Sequence, residues 1–187
     1  MRNVFVALSI CGIISFFTSG CKETTTTPDH INHDIVTTVT ITLKPTGVLI
    51  DSIVAVWEDI DGVGGSNPNR IDTLILNAGT VYTATIKLEN RSVTPTVDLT
   101  SEIGTEKDNH QFFYAITNSL GEVTVLDKDS RNLPVGLRFS LSSTVTASAV
   151  FGALTMSLSH WENATDKNGT TPSAETDVSV ELPLMVR

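Results

Sequence analysis

The sequence contains only two cysteines, Cys11 and Cys21, and both lie near its beginning. The long remainder has no cysteine for a disulfide or a thiolate metal site, so packing of the core must hold its fold. Lysine and arginine are also scarce, with 12 against 21 aspartates and glutamates and a formal net charge of −9. Because an acidic surface repels phosphate backbones, the composition argues against nucleic acid as a partner.

Sequence patterns typical of catalysis are missing as well. There is no Gly-x-Ser-x-Gly elbow, no P-loop, no dinucleotide-binding fingerprint and no His-Glu-x-x-His pair. Aromatic residues make up 6% of the chain, which is little for a sugar-stacking surface and favours their use in packing. We therefore expect a non-enzymatic protein rather than an enzyme.

The first residues have the layout of a lipoprotein signal. Arg2 precedes an apolar run, Val4 to Phe17, which is too short for a spanning helix of about 20 residues. Gly20 stands directly before Cys21, although Thr18 departs from the leucine usual three residues before the lipidated cysteine. We expect a signal peptide over residues 1–20, acylation at Cys21 and membrane attachment through the acyl chains. Residues 21–34, rich in Thr, then predict a flexible tether.

From Ile35 onward, apolar residues alternate with polar ones in short runs separated by Gly, Pro, Asn and Asp, a pattern typical of strands. The runs cover residues 35–43, 48–57, 72–77, 81–89, 111–117, 122–126, 136–141, 151–161 and 178–186. A turn at Asn77-Ala78-Gly79 is expected to join the third and fourth strands, and Asn118 to Gly121 predicts a hairpin between the fifth and sixth. Pro183, which has no N–H, predicts a sheet edge or a bulge in the last strand.

About eight to nine strands without a long helix predict one all-β domain over residues 35–187. The fold class we expect is an antiparallel β-sandwich of the Ig-like or Greek-key type.

One stretch that does not alternate, Asp98 to Asn109, suggests a metal site. A short helix there would place Glu102, Glu106 and His110 on one face, and His160 ends a predicted strand. These four side chains would bind zinc or another divalent metal as a cofactor. Binding of one ion by both histidines requires the two imidazoles to lie within a few Å of each other. The alternative is that the histidines are structural and the carboxylates are solvated.

Two Asp-rich stretches begin like calcium loops, Asp59-Ile60-Asp61-Gly62 and Asp127-Lys128-Asp129. The twelfth position is Arg70 in one and Arg138 in the other, where an EF-hand needs a glutamate. We interpret both stretches as solvated turns.

Several short segments carry a resemblance to a known group: Glu102-Ile103, His110 to Tyr114, Asp127 to Asp129, Pro134 to Leu137 and Leu158 to His160. In these segments the chain resembles small uncharacterised envelope lipoproteins of the Bacteroidetes, especially flavobacteria. The resemblance implies an all-β outer-membrane lipoprotein, on the periplasmic face or the cell surface, with no established activity. It also implies O-glycosylation candidates at Ser52 and Thr73, each preceded by Asp and followed by an apolar residue.

The anchor leads to a direct prediction. We expect Cys21→Ala to abolish membrane association, because no other segment offers a comparable apolar anchor. Fractionation of cell envelopes measures this, with the unmodified chain as the control. A variant that still pelleted with the envelope would contradict the prediction.

Overall fold

The structure is a computed structural model that describes residues 35–47, 51–62 and 65–187, all within one folding unit. The predicted signal peptide, Cys21, the tether and the first residues of the second predicted strand, 48–50, lie outside this part. None of the helices in the described part is long and apolar enough to cross a membrane.

Eleven strands and one α-helix make up the regular structure of the described residues. The strands are β1 Thr38–Pro45, β2 Ile53–Glu58, β3 Arg70–Ile71, β4 Leu74–Leu76, β5 Val81–Asn90, β6 Val97–Asp98, β7 His110–Ile116, β8 Gly121–Val125, β9 Arg138–Ser143, β10 Val150–His160 and β11 Glu175–Val186. The helix is α1 Thr100–Thr105, and short 3-10 turns cover Thr117–Ser119 and Ala164–Asp166. The two strands that the sequence did not predict, β3 and β6, have only two residues each.

The strands form two sheets that pack as a sandwich, which confirms the predicted all-β class. One sheet has the order β3-β2-β1-β5-β9-β8, with β6 also beside β5, and the other has the order β4-β11-β10-β7. All pairs are antiparallel except β4 with β11, which run parallel. The antiparallel sandwich expected from the sequence is thus present, with this one parallel pair at the edge of the smaller sheet.

The predicted turn at Asn77-Ala78-Gly79 is present, but the predicted hairpin at Asn118 is wrong, because each of these turns leads from one sheet to the other. The Asn77-Ala78-Gly79 turn joins β4 to β5, and the turn at Asn118 joins β7 to β8. Asn118 and Ser119 have φ values of 57° and 53°, a left-handed backbone that redirects the chain away from β7. Alternation shows which face of a strand is buried, but it does not show which sheet the strand joins.

The core lies between the sheets and consists of the inward-facing half of each alternating strand. Its members include Ile41, Tyr82, Phe139, Leu154 and Leu182, each completely buried. Full burial of one such side chain is worth about 1.5–3 kcal/mol. Trp57 also belongs to this core, in keeping with the expected use of the aromatic residues in packing.

Pro183 behaves as its missing N–H requires. Its partner on β10 is Ala153, and the backbone groups of these two residues point away from each other, so no N–H is needed on that side. On the other side of β11, the pairing with β4 begins only at Leu184. The strand also carries a bulge, since Leu158 and Ser159 pair with Val178 and Thr176 and leave Asp177 as the extra residue. The prediction for the last strand is therefore only partly correct: β11 is not an edge strand and its bulge lies six residues from Pro183, but no neighbouring strand pairs with β11 at Pro183 on the side of β4.

Buried polar residues are concentrated at one end of the sandwich, where β1 and β7 begin and β2, β5 and β10 end. We call this the polar end. Its buried members are Thr37, Thr38, Asp59, Glu89, Asn90, His110, Gln111, Asp129, Ser159 and Lys167. Because a buried polar group is costly unless it has a partner, this end is where a functional site is to be sought.

Candidate functional site

His110 and His160 are brought together at the polar end by strand pairing. They are directly opposite each other on β7 and β10, and their ring centroids are 4.8 Å apart and stacked at 21°. The next pair along the two strands, Asn109 with Trp161, is joined by a backbone hydrogen bond from Trp161 N to Asn109 O. Since pairs in an antiparallel ladder alternate, His110 and His160 form a non-hydrogen-bonded pair, in which the side chains lie closer together. The predicted approach of the two imidazoles is confirmed.

The nitrogens of His110 are both engaged. Nδ1 lies 2.9 Å from the carbonyl oxygen of Glu106, which only accepts, so Nδ1 carries a proton. Nε2 faces Asp177 Oδ2 across 3.5 Å. In a regular strand, the side chain of Asp177 would point away from the core, opposite to that of Val178. Because Asp177 is the extra residue of the bulge, its carboxylate instead faces the His110 ring.

The predicted helical row is only partly correct. Glu102 lies on α1, and Glu106 follows the last helical turn; both line a small cavity of about 20 Å³ together with Asp177. The helix ends at Thr105, so His110 belongs to β7 instead of a third helical turn. The short polar segment Lys107 to Asn109 turns the chain before the row could continue.

These side chains do not form a complete cage for a metal ion. No group of three or more His, Cys, Asp or Glu side chains in the described residues is arranged to hold one. His160 Nδ1 faces Glu175 Oε2 at 3.4 Å, on the side of the strand end that is exposed. The zinc site at Glu102, Glu106, His110 and His160 stays a prediction.

A second polar cluster at this end is a buried ion pair. Lys167 Nζ lies 3.0 Å from Asp129 Oδ2, and both side chains are 0% exposed. The same ammonium donates to the carbonyl oxygens of Lys107 and His110, at 2.9 and 2.8 Å. Burial lowers the pKa of Lys167, and the bond to Asp129 opposes that shift. All three ammonium donors are thus used inside the protein.

The segment 127–137 is folded around two aspartates. Asp129 Oδ1 accepts from the amides of Arg131 and Leu133, and Asp127 accepts from those of Gly136 and Leu137. Burial alone would raise the pKa of Asp129, but the Leu133 amide and Lys167 outweigh it and the pKa is lowered. The interpretation of Asp127 to Asp129 as a solvated turn is therefore wrong for Asp129, which the backbone needs as an internal acceptor.

A cleft of about 520 Å³ opens beside this segment, between the outer strands of the two sheets. The cleft is lined by β7 on one side and β8 on the other. Pro134 and the pair Gly169–Thr170 also line it. Since β7 ends one sheet and β8 ends the other, the cleft runs along two sheet edges.

The backbone of both strands is turned toward this cleft at alternate residues. Leu126 N bonds to Arg138 O, so the even residues of β8 pair with β9 while Val123 and Val125 point outward. Phe112 N donates to Val135 O, on the side of β7 away from β10. Because alternate residues direct their backbone groups to the same side, the N–H and C=O groups of Tyr114 and Ile116 also point away from β10. Two rows of edge N–H and C=O groups therefore border one cavity.

Gln111 supplies a buried polar group at the same place. It is 3% exposed, lines the cleft and donates from Nε2 to Gly169 O at 3.1 Å. Its Oε1 accepts no hydrogen bond from any residue that the structure describes. An acceptor buried in this way is costly unless a donor reaches it. The arrangement suits a ligand that brings N–H or O–H groups.

Tyr114 and Gly136 hold the β7 wall of the cleft in place. The Tyr114 hydroxyl donates to Gly136 O, and its ring packs 4.4 Å from that of Phe139. Burial raises the pKa of Tyr114, so the phenol stays protonated as that bond requires. Gly136 has φ 97°, and a Cβ there would meet Phe112 Cβ at 2.7 Å. Only glycine lets segment 127–137 lie this close to β7.

Comparisons with known proteins returned no match for the chain among family models, curated proteins or solved structures. The site is therefore defined by its own geometry.

Sequence reasoning missed Asp177, Lys167, Asp129 and Gln111. Lys167 stands in a stretch, Glu162 to Glu175, that is polar throughout, and nothing in its pattern indicates burial. Asp177 directly precedes the clean alternation that begins at Val178, where a bulge leaves no trace in the sequence.

The ion pair leads to a stability prediction. We expect Asp129→Asn to destabilise the protein by about 3–5 kcal/mol, because the amide keeps an acceptor for the two backbone N–H groups but leaves the Lys167 charge buried and uncompensated. Urea unfolding at neutral pH measures this. The double variant Asp129→Asn with Lys167→Met should recover much of the loss.

Asp166→Asn is the matched control, because it makes the same charge change at the exposed neighbour of Lys167 and should stay within about 0.5 kcal/mol. The lowered pKa of Asp129 means that its contribution is present above the ordinary value of 3.8 and is lost as pH falls through the folded value. Equal stabilities for Asp129→Asn and Asp166→Asn would contradict the account.

Proposed function

We propose that the chain is a lipid-anchored, non-enzymatic binding module of a Gram-negative cell envelope that holds an extended segment of a partner protein in the cleft. The observation that supports this most is the pair of sheet edges on one cavity. An extended peptide adds to such an edge through main-chain hydrogen bonds, and side-chain pockets supply selectivity.

The chemistry of the cleft favours this occupant over a compact apolar ligand. The outward N–H and C=O groups of Val123 and Val125 are two residues apart, which is the spacing at which an added peptide strand forms hydrogen bonds. Gln111 Oε1 is a buried acceptor that an N–H group of the peptide could donate to. Glu122 is exposed at the cleft, and the chain as a whole is acidic. We infer that the partner segment is extended and carries lysine or arginine.

The anchor is a separate part of the proposal. It rests on the apolar run, Gly20 and Cys21, which lie outside the described residues, and on the resemblance to envelope lipoproteins. Acylation at Cys21 would attach the domain to the outer membrane, on the periplasmic face or at the cell surface. The domain then needs no membrane-binding surface of its own.

Binding is tested with the isolated mature protein and a library of immobilised eight-residue peptides. We expect enrichment of basic, extended sequences without proline. Val123→Pro should weaken binding of the selected peptides at least about tenfold, because it removes an outward N–H without breaking the ladder to β9.

Val54→Pro is the matched control. Val54 is an exposed valine on β2, and its N–H also points away from the paired strand, but it lies near the opposite edge of the sheet. It should bind peptides like the unmodified protein. Equal losses in both variants, or peptides selected without regard to charge, would contradict the proposal.

A second candidate function is binding of zinc or a similar divalent metal by His110 and His160 with Glu102 or Glu106. The approach of the two rings to 4.8 Å is the observation that favours it. Because His110 Nδ1 donates its proton to the carbonyl oxygen of Glu106, Nε2 is the ring nitrogen that could bind a metal, an arrangement common among metal-binding histidines.

Thermal unfolding with zinc and with a chelator decides this second candidate. Zinc at 100 times its dissociation constant should add about 2.7 kcal/mol to the free energy of unfolding. The gain should disappear in His110→Ala. No gain in the unmodified protein, or an equal gain in His110→Ala, would assign both histidines a structural role.

A further inference from the structure

The two ends of the cleft are lined by different residues. Gln111, Pro134 and the pair Gly169–Thr170 line the end that lies at the polar end of the sandwich. Gln111 is the second residue of β7, whereas Glu122 follows the turn that joins β7 to β8, so these two side chains mark opposite ends. Ile116, the last residue of β7, is five residues beyond Gln111, which gives the cleft a length of about 17 Å.

The side-chain amide of Gln111 has one orientation. Its Nε2 donates to the carbonyl oxygen of Gly169 at 3.1 Å. Because that carbonyl only accepts, a flipped amide would place two acceptors against each other. The NH2 group therefore faces Gly169, and Oε1 takes the other position, where no residue of the described chain donates to it. Gln111 is 3% exposed, so this acceptor is costly to leave without a donor.

The wall beside this amide is held in place by contacts of its own. A Cβ at Gly169 would meet Pro134 Cδ at 3.0 Å, and φ at Gly169 is 82°, so the close approach of the two segments requires glycine. Asn168 Oδ1 accepts from the amides of Thr170 and Thr171 at 2.9 and 2.8 Å, which fixes the chain after Gly169. The geometry around the amide is therefore set before a ligand arrives.

The charges around the cleft also differ between its two ends. Among the residues that line it, Glu122 is the only acidic one. At the other end, the Lys167 ammonium donates to His110 O, the carbonyl that directly precedes Gln111, and Asp129 balances its charge. A cationic donor at Gln111 would lose its hydration against a neutral amide and would add a second ammonium to this neighbourhood. An uncharged donor avoids both costs.

We propose that the Gln111 end of the cleft is a subsite for a serine or threonine hydroxyl of the bound segment, while the Glu122 end takes its basic side chain. This subsite rests on the proposed function, since it names what the bound segment carries at each end. A hydroxyl brings one donor to one buried acceptor, whereas a primary amide brings a second N–H and a carbonyl that need further partners. Side chains on one face of a strand recur every second residue, so we expect the hydroxyl and the basic residue to be about four residues apart.

Blocked five-residue peptides test the subsite on the isolated mature protein. The reference peptide is Thr-Val-Ala-Val-Lys, and two others replace its threonine by valine, which has the same shape, or by lysine. The reversed sequence Lys-Val-Ala-Val-Thr covers the opposite direction of binding. NMR titration gives the dissociation constants. In one of the two directions, the threonine peptide should bind at least about tenfold more tightly than either replacement, because it alone brings an uncharged donor to Gln111 Oε1.

Two substitutions of Gln111 separate a role in specificity from a structural role. Gln111→Met and Gln111→Glu both lose the N–H that is donated to Gly169, so a difference between the two variants does not come from that contact. Gln111→Met should bind the threonine and valine peptides equally, because it has no acceptor. Gln111→Glu should prefer the lysine peptide to the valine peptide, because it places a carboxylate at the position of Oε1. Thermal unfolding checks that both variants are folded.

The NMR signals of the Gln111 side-chain amide make the test independent of the sheet edge and of the folding of these variants. Acetyl-threonine methylamide, which is too short to add as a strand, should shift these signals in the unmodified protein and also in Val123→Pro. Acetyl-valine methylamide should leave them in place. A response to the threonine compound without binding of any five-residue peptide would support the hydroxyl subsite and overturn the peptide cleft.

Two outcomes would overturn the subsite. One is equal affinity of the unmodified protein for the threonine and valine peptides, which would retain peptide binding and remove Gln111 from recognition. The other is a Gln111 amide that responds to neither blocked amino acid, or to both alike, as expected if an ordered water donates to Oε1.

Discussion

The buried bond between Lys167 and Asp129 is the constraint on which the cleft depends. Asp129 organises the segment that carries Pro134, and Lys167 immediately precedes the segment that carries Gly169 and Thr170. Both segments line the cleft, and neither belongs to a sheet. The ammonium also binds the His110 carbonyl, at the first residue of β7. The contact between Lys167 and Asp129 therefore positions three parts of the cleft wall: segment 127–137, the segment with Gly169 and Thr170, and the start of β7.

Placement of this pair inside the protein has a physical consequence. Removal of two charges from water costs several kcal/mol for each ion, and the loss is offset only when the remaining hydrogen-bonding groups are satisfied. Here the ammonium has three acceptors and the carboxylate has two backbone donors. The pair adds little net stability by itself, but any arrangement of the loops that separates it is strongly disfavoured. Its main effect is to select one geometry of the loops.

The strands could be predicted because their signal is local. Alternating runs such as 178–186 specify both the strand and its buried face. The approach of His110 to His160 was expected only as a condition of the metal-site hypothesis, because it depends on which strands pair. Assignment of strands to sheets was beyond the sequence, as the turns at Ala78 and Asn118 show, since a turn to the other sheet uses the same residues as a hairpin.

The residues missed at the polar end share one cause. Burial of Asp59, Asp129 and Lys167 results from contacts between segments that are far apart in the chain, and polar loops have no periodicity that reports such contacts. Asp177 points inward because of a bulge, which depends on how β10 and β11 pair. The buried polar residues of the polar end therefore lie in loops and at a bulge, where the sequence pattern is least informative.

Amide hydrogen exchange shows directly whether β7 and β8 present open edges to the cleft. In the free protein, the amides of Val123 and Val125 should exchange much faster than that of Thr124, which bonds to β9. A bound peptide should slow the exchange of both valine amides and leave that of Val54 unchanged. Equal protection of Val123, Thr124 and Val125 in the free protein would show that the edge is already covered, and would contradict the account.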